Sequence, residues 1–174
     1  MSSTYSPNLR IELIGTGDQS GSWGTTTNTN LGTLIEDGIS GYVAVSVAAA
    51  NQALTANNGA ADQARNAVLA LTTTTGANFA VYAPPTAKQY TIYNASAYTA
   101  TIYNSSVLGN TTAAGAGVAI PTGKTVTVWT NGTAFAFQNN HLSSLTLATD
   151  LAIAEGGTGA SSASNARTNL GLTI

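Results

Sequence analysis

Asn131-Gly132 stands between two alternating runs, Thr125-Val126-Thr127-Val128-Trp129-Thr130 and Thr133-Ala134-Phe135-Ala136-Phe137. An Asn-Gly pair in that setting is the strongest short-range signal for a β-hairpin, because a two-residue type I′ loop needs positive φ at both central residues. Such a loop sets Val128 opposite Phe135 and Val126 opposite Phe137, four side chains on one buried face. Trp129 then falls on the other face beside Ala134, where a second layer or a neighbouring subunit must cover it.

The preceding eighty residues repeat this grammar. Tyr42 to Val47 alternates, with Val43, Val45 and Val47 on one face, and Asn66 to Leu71 puts Ala67, Leu69 and Leu71 together. Phe79-Ala80-Val81-Tyr82-Ala83 follows, and Pro84-Pro85 stops it. An internal echo comes next, Thr91-Ile92-Tyr93-Asn94 and Thr101-Ile102-Tyr103-Asn104, which reads as two strands of one hairpin turning near Asn94-Ala95-Ser96-Ala97. Short strands with frequent turn signals predict a mainly β fold, a small antiparallel β-sandwich over residues 42–140.

The flanks are different. In residues 1–41, Leu9 to Ile14 reads as a short strand, and a Gly-rich loop carries one large anchor, Trp23. Asn30 reads as the N-cap of a short helix through Leu34, ended by Gly38. In residues 141–174 the spaced Leu142, Leu145 and Leu147 have no evident partner within the chain, and Glu155 to Gly159 is a flexible break. Ser161 or Ser162 caps a short helix that Gly171 stops. Leu170 and Leu172 beyond it would be exposed in a monomer, as expected of an element intertwined with its copies.

Charge narrows the function. Only 7% of residues are charged, against about 25% in an ordinary domain. Thr, Asn, Ser and Gln carry the polar load, and neutral side chains lose little on desolvation, so such a surface can pack on copies of itself. A net charge of −2 without a basic patch removes the footprint for nucleic acid. The longest apolar stretch, Val43 to Ala50, is far short of the ~20 residues of a membrane span. The first residues lack the pattern of a signal peptide, and the absence of cysteine excludes disulfides and thiolate metal sites.

Chemistry-bearing patterns are thin. Gly123-Lys124-Thr125 resembles the end of a phosphate loop, but Val118 stands where that motif needs glycine, so a polar turn between strands is the better reading. Gly15-Thr16-Gly17 lacks the third glycine of a dinucleotide loop, Ser20 standing there. Two convergent carboxylates are not signalled among Glu12, Asp18, Glu36, Asp37, Asp62, Asp150 and Glu155. His141, the single histidine, has no signalled nucleophile or orienting acid; three copies around an axis could hold a metal ion, but a polar residue closing the β zone is the simpler reading. Tyr82, Tyr90, Tyr93, Tyr98 and Tyr103 suit cross-strand packing first and a sugar- or protein-binding face second. The Asn-X-Ser/Thr matches fit chance in so Asn- and Thr-rich a chain. The chain reads as no enzyme and as carrying no cofactor.

Two terminal runs carry a resemblance. Tyr5-Ser6-Pro7-Asn8-Leu9-Arg10-Ile11-Glu12-Leu13-Ile14-Gly15-Thr16-Gly17-Asp18 through Trp23-Gly24 to Leu31-Gly32 resembles the start of tail-fibre-like proteins of tailed bacteriophages, marine and cyanobacterial ones included. Ile153-Ala154-Glu155-Gly156-Gly157-Thr158-Gly159-Ala160 and Asn165-Ala166-Arg167-Thr168-Asn169-Leu170-Gly171-Leu172 resemble a segment recurring in phage tail fibres. The middle, with Arg65 to Leu69 and Ile120 to Lys124, is similar to β modules of such fibres.

The resemblance implies a homotrimer in a virion, on the phage tail or capsid surface, made in the bacterial host cytoplasm. It implies a segment 1–41 docking to other virion proteins (tail tube, baseplate, adaptor or capsid) through Leu9, Ile11, Leu13, Trp23 and Leu31. It implies a C-terminal stalk 141–174 with trimer contacts at Leu142, Leu145, Leu147, Ile153, Leu170 and Leu172. The sequence stops at Ile174, just after a motif that leads into further domains in longer fibres, which favours attachment or an adaptor role over direct host recognition. A capsid-bound head fibre or decoration protein, and a module that binds host surface glycan, are the alternatives.

Overall fold

The computed structural model describes residues 2–139, 151 and 157–172. It divides into two compact units, residues 1–139 and 140–174. The first is mainly β, and its strands are β1 (Thr4–Tyr5), β2 (Glu12–Leu13), β3 (Tyr42–Val47), β4 (Asn51–Ala53), β5 (Val68–Thr73), β6 (Phe79–Ala83), β7 (Ala87–Asn94), β8 (Ala100–Asn104), β9 (Val118–Ile120), β10 (Thr125–Asn131) and β11 (Phe135–Phe137).

Apart from the β1-β2 ribbon, the strands form a five-stranded sheet ordered β11-β10-β7-β5-β3 and a four-stranded sheet ordered β4-β6-β8-β9. From β3 to β8 the chain alternates between the two sheets. Each strand therefore lands parallel to the one laid down a pass earlier: β3 with β5, β5 with β7, β4 with β6, and β6 with β8. β9 and β10 then run antiparallel to β8 and β7. The sheets are thus of mixed orientation, which corrects the antiparallel expectation.

The echo at residues 91–94 and 101–104 shows why. These segments lie in β7 and β8, in different sheets, and are not hairpin partners. Asn94 is fully buried; its Nδ2 donates to Tyr98 O and Ile120 O, and its Oδ1 accepts from Ser96 N. Side-chain bonds thus turn the chain from one sheet to the other, where a hairpin would have used backbone pairing. Asn104, one pass on, is equally buried; its Nδ2 donates to Pro84 O at 2.7 Å and its Oδ1 accepts from Thr130 Oγ1.

The alternating valines and leucines behave as their period demands. Val45, Val47, Leu69, Leu71, Ile92 and Val128 meet Phe79, Val81, Ile102 and Ile120 of the other sheet in one apolar cluster. Each such side chain, fully buried, contributes about 1.5–3 kcal/mol. The β10-β11 hairpin keeps its faces but not its predicted register. Val128 pairs with Phe137 and Thr130 with Phe135, a slip of two residues. Gly132 alone takes positive φ, at 95°, while Asn131 Oδ1 accepts from Thr133 N and Ala134 N. The Asn side chain thereby makes an Asx-type turn in place of the type I′ loop and lengthens it to include Ala134. An even slip leaves Phe135 buried but carries Phe137 to an exposed edge.

The N-terminal helix also departs from expectation. It runs through α1 (Trp23–Thr29), a π-helical stretch Asn30–Ile35, and α2 (Glu36–Ser40), ending at the extended Gly41. Asn30 is therefore inside the helix and caps nothing. Its amide instead brackets the backbone of β2, accepting from Glu12 N at 3.3 Å and donating to Glu12 O at 2.8 Å.

In the second unit, α3 (Ala163–Asn169) starts as predicted: Ser162 Oγ accepts from Asn165 N at 3.2 Å. Gly171, with φ of 69°, ends it. No helix among the described residues is long and apolar enough to cross a membrane.

Candidate interaction surfaces

The N-terminal segment is fastened to the sheets by one buried ion pair. The side chains of Arg65 and Asp62 are 1% and 2% exposed, with Nη2 and Oδ2 3.3 Å apart. The arginine spends its remaining donors on backbone carbonyls: Nε and Nη2 to Leu9 O, Nη1 to Ala60 O, and Nη2 to Asn57 O. Asp62 accepts from Asn57 N and Arg65 N. Gly59 N also donates to Arg10 O, and Ala67 N to Asp37 O, which ties the helix end to the start of β5. Asp62 therefore has an ion partner, and Asp18 accepts instead from Ser3 N and Ser3 Oγ. The two acids belong to separate hydrogen-bond sets. Among the described residues no three His, Cys, Asp or Glu side chains gather as metal ligands.

The proposed docking residues separate into two groups. Leu9 and Ile11 are half-buried and engaged internally: Leu9 Cδ2 would lie 3.6 Å from a Cβ on Gly38, and Ile11 bonds twice to Ser6. Leu13, Trp23 and Leu31 are exposed. Trp23 at 62%, Leu31 at 59% and Ile39 at 76% recur every eight residues along one helical stretch that is otherwise rich in Thr, Asn and Gly. Burial of three such side chains would remove a large apolar area from water, and nothing within the first unit does so. The helix continues past Gly38, the stop that the sequence predicts, to Ser40, and so carries Ile39 as well.

The outer face of the five-stranded sheet is a second uncovered surface. Register places Trp129 between Gln89 and Ala136, and aligns Thr127, Thr91, Val68 and Tyr42 across four strands. Gln89 Nε2 donates to Gln138 Oε1 at 3.0 Å. The five strands hold one charged residue, Lys88, and its period puts it with Tyr90 on the inward side. The outer face is therefore uncharged, with Tyr42, Tyr93 and Trp129 exposed. Of the other tyrosines, Tyr98 is exposed, Tyr82 stacks on Tyr103 at 5.5 Å, and Tyr90 is buried with its hydroxyl donating to Ala64 O.

In the second unit Leu170 and Leu172 are exposed. Leu142, Leu145, Leu147, Ile153 and His141 lie outside the described residues. Comparison of the chain with protein-family models, curated proteins and solved structures finds no match.

Proposed function

We propose that the chain is a structural virion protein, a phage tail fibre or fibre-base adaptor subunit that works as a homotrimer. In this reading the two sheets form a small sandwich, the N-terminal helix docks to other virion proteins, and the C-terminal residues make an intertwined stalk. The observation that carries it is the set Trp23, Leu31 and Ile39, left open to water along one helical stretch. Exposed apolar patches of that kind mark association sites. The low charge of the whole chain supports the same reading, as do Leu170 and Leu172. A buried ion pair holds the docking segment to the sheets, as a segment that transmits load between particle and fibre requires.

A second reading, a glycan-binding module, is favoured by the uncharged outer sheet face with Trp129, Tyr93 and Tyr42 beside Gln89 and Thr91. Aromatic rings with neutral hydrogen-bonding neighbours suit sugar rings.

Labelled antibody against the chain, imaged on particles of the phage that encodes it, tests the first reading. Label at the tail agrees with it. Label on the capsid moves the chain to the head-fibre alternative, and unlabelled particles refute a virion role. Loss of carbohydrate binding in Trp129→Ala, with particle attachment retained, would establish the second.

A further inference from the structure

We propose that the cleft between the Asn8–Arg10 segment and the start of β7 binds a small oxyanion, a carboxylate or phosphate group. Leu9, Arg10, Asp62, Arg65, Lys88 and Tyr90 are among the residues that line it, and its interior has room for about one water-sized group. The chain has five lysines and arginines in all, and three of them meet here.

The single acid in the cleft is already committed. Asp62 pairs with Arg65, and both its oxygens take backbone N–H groups as well. Arg65 in turn has directed every donor group at a carbonyl or at Asp62. Arg10 and Lys88 therefore remain without an ion-pair contact of their own among the described residues. Arg10 Nε is buried and has no hydrogen-bond partner among the described residues. Lys88 Nζ sits 4.6 Å above the Tyr90 ring, and burial lowers its pKa to about 8.

Arg10 is costly twice over at this place. It adopts φ of 53°, a conformation that suits Gly or Asn, held by Arg10 N donating to Ser6 O and Gly59 N donating to Arg10 O. A buried guanidinium nitrogen without an acceptor adds a desolvation penalty. An oxygen atom of a bound anion accepts from Arg10 Nε, offsets the charge of Lys88, and relieves the desolvation penalty of the guanidinium. Because only one small group fits, the cleft selects a terminal carboxylate or phosphate oxygen over a bulky anion. This inference does not depend on the virion reading.

Titration of the ¹⁵N-labelled full chain with phosphate, and separately with acetate, at ionic strength fixed by chloride, tests it. The expected result is saturable shifts confined to amides of residues 8–10, 62–65 and 86–90. Arg10→Gln and Lys88→Gln are each expected to weaken the affinity about tenfold while the rest of the spectrum keeps its dispersion. Saturation by one anion alone supports the site and fixes its chemistry. Shifts that stay linear to high concentration, that scatter over the surface, or that are unchanged in both variants overturn the proposal.

Discussion

Replacing Arg65 with Met keeps an unbranched apolar stem and removes the guanidinium and its charge. The change strips Leu9 O of two bonds, Ala60 O and Asn57 O of one each, and Asp62 of its ion partner. Breaking a buried pair from one side costs about 3–5 kcal/mol, because the surviving charge stays desolvated. That is a large share of the roughly 5–15 kcal/mol that holds a domain together. With a urea slope of about 2 kcal/mol/M, the unfolding midpoint falls by about 2 M. The two tryptophans resolve where the loss occurs, Trp23 in α1 and Trp129 in β10. In a Trp129→Phe background the remaining Trp23 signal is expected to unfold at lower urea than β-sheet circular dichroism. Amide exchange at Gly59, whose N–H donates to Arg10 O, is expected to accelerate in parallel. The paired variant Asp62→Leu/Arg65→Met recovers at least half of the stability, since no charge is then stranded. A loss below about 1 kcal/mol with unchanged exchange at Gly59 would refute the anchoring role, since the expected cost follows from stranding a buried charge.

Three further outcomes follow from the packing. The folded protein releases the Lys88 proton near pH 8, below its ordinary value of 10.5, through burial first, with Asp62 opposing and Arg65 adding; the unfolded chain keeps it longer, so stability rises with pH across that window by roughly 1–3 kcal/mol. Tyr90, whose pKa burial raises above its ordinary 10.0, works the other way at higher pH, so stability measured by urea titration peaks near pH 10, and Lys88→Met flattens the rise. Asn104→Ala takes one bond each from Pro84 O and the Thr130 hydroxyl, which keep Thr86 N and Gly132 N as donors, and costs about 1–3 kcal/mol by urea unfolding. In Gly117→Ala the new Cβ would meet the Tyr103 ring at 2.5 Å and Ile102 O at 2.6 Å, lowering stability by about 1–3 kcal/mol; Gly24→Ala, in open space on α1, raises it by about 0.5–1 kcal/mol.

Strand positions were legible because each apolar run alternates with period two. Val45, Val47, Leu69, Leu71 and Val128 fall on the buried face that their spacing assigns. Pairing was not legible. The echoed Tyr-Asn segments carry the same local signal whether they form a hairpin or successive passes of a coil, and the difference lies in where Asn94 and Asn104 find carbonyls 20 or more residues away. The Asn131 side chain likewise displaced the expected loop by two residues, a choice that backbone preference alone does not encode.

Asn30 shows a similar limit. Its cap-like chemistry was recognised, but its acceptor serves Glu12 N, 18 residues upstream, and not the start of a helix. The Asp62–Arg65 pair passed unnoticed, although an acid three residues before a base is a rare pattern in a chain with 7% charge. Leu170 and Leu172 are exposed, as expected of a tail without an apolar partner in the sequence; of the five expected docking residues Leu13, Trp23 and Leu31 are exposed, whereas Leu9 and Ile11 are half-buried.

Native mass spectrometry of the purified full chain across micromolar concentrations tests the assembly claim most directly. The account predicts a dominant species at three times the 17.5 kDa chain mass, weakened when Trp23, Leu31 and Ile39 or Leu170 and Leu172 are replaced by Ser. A single species at 17.5 kDa at every concentration would contradict it.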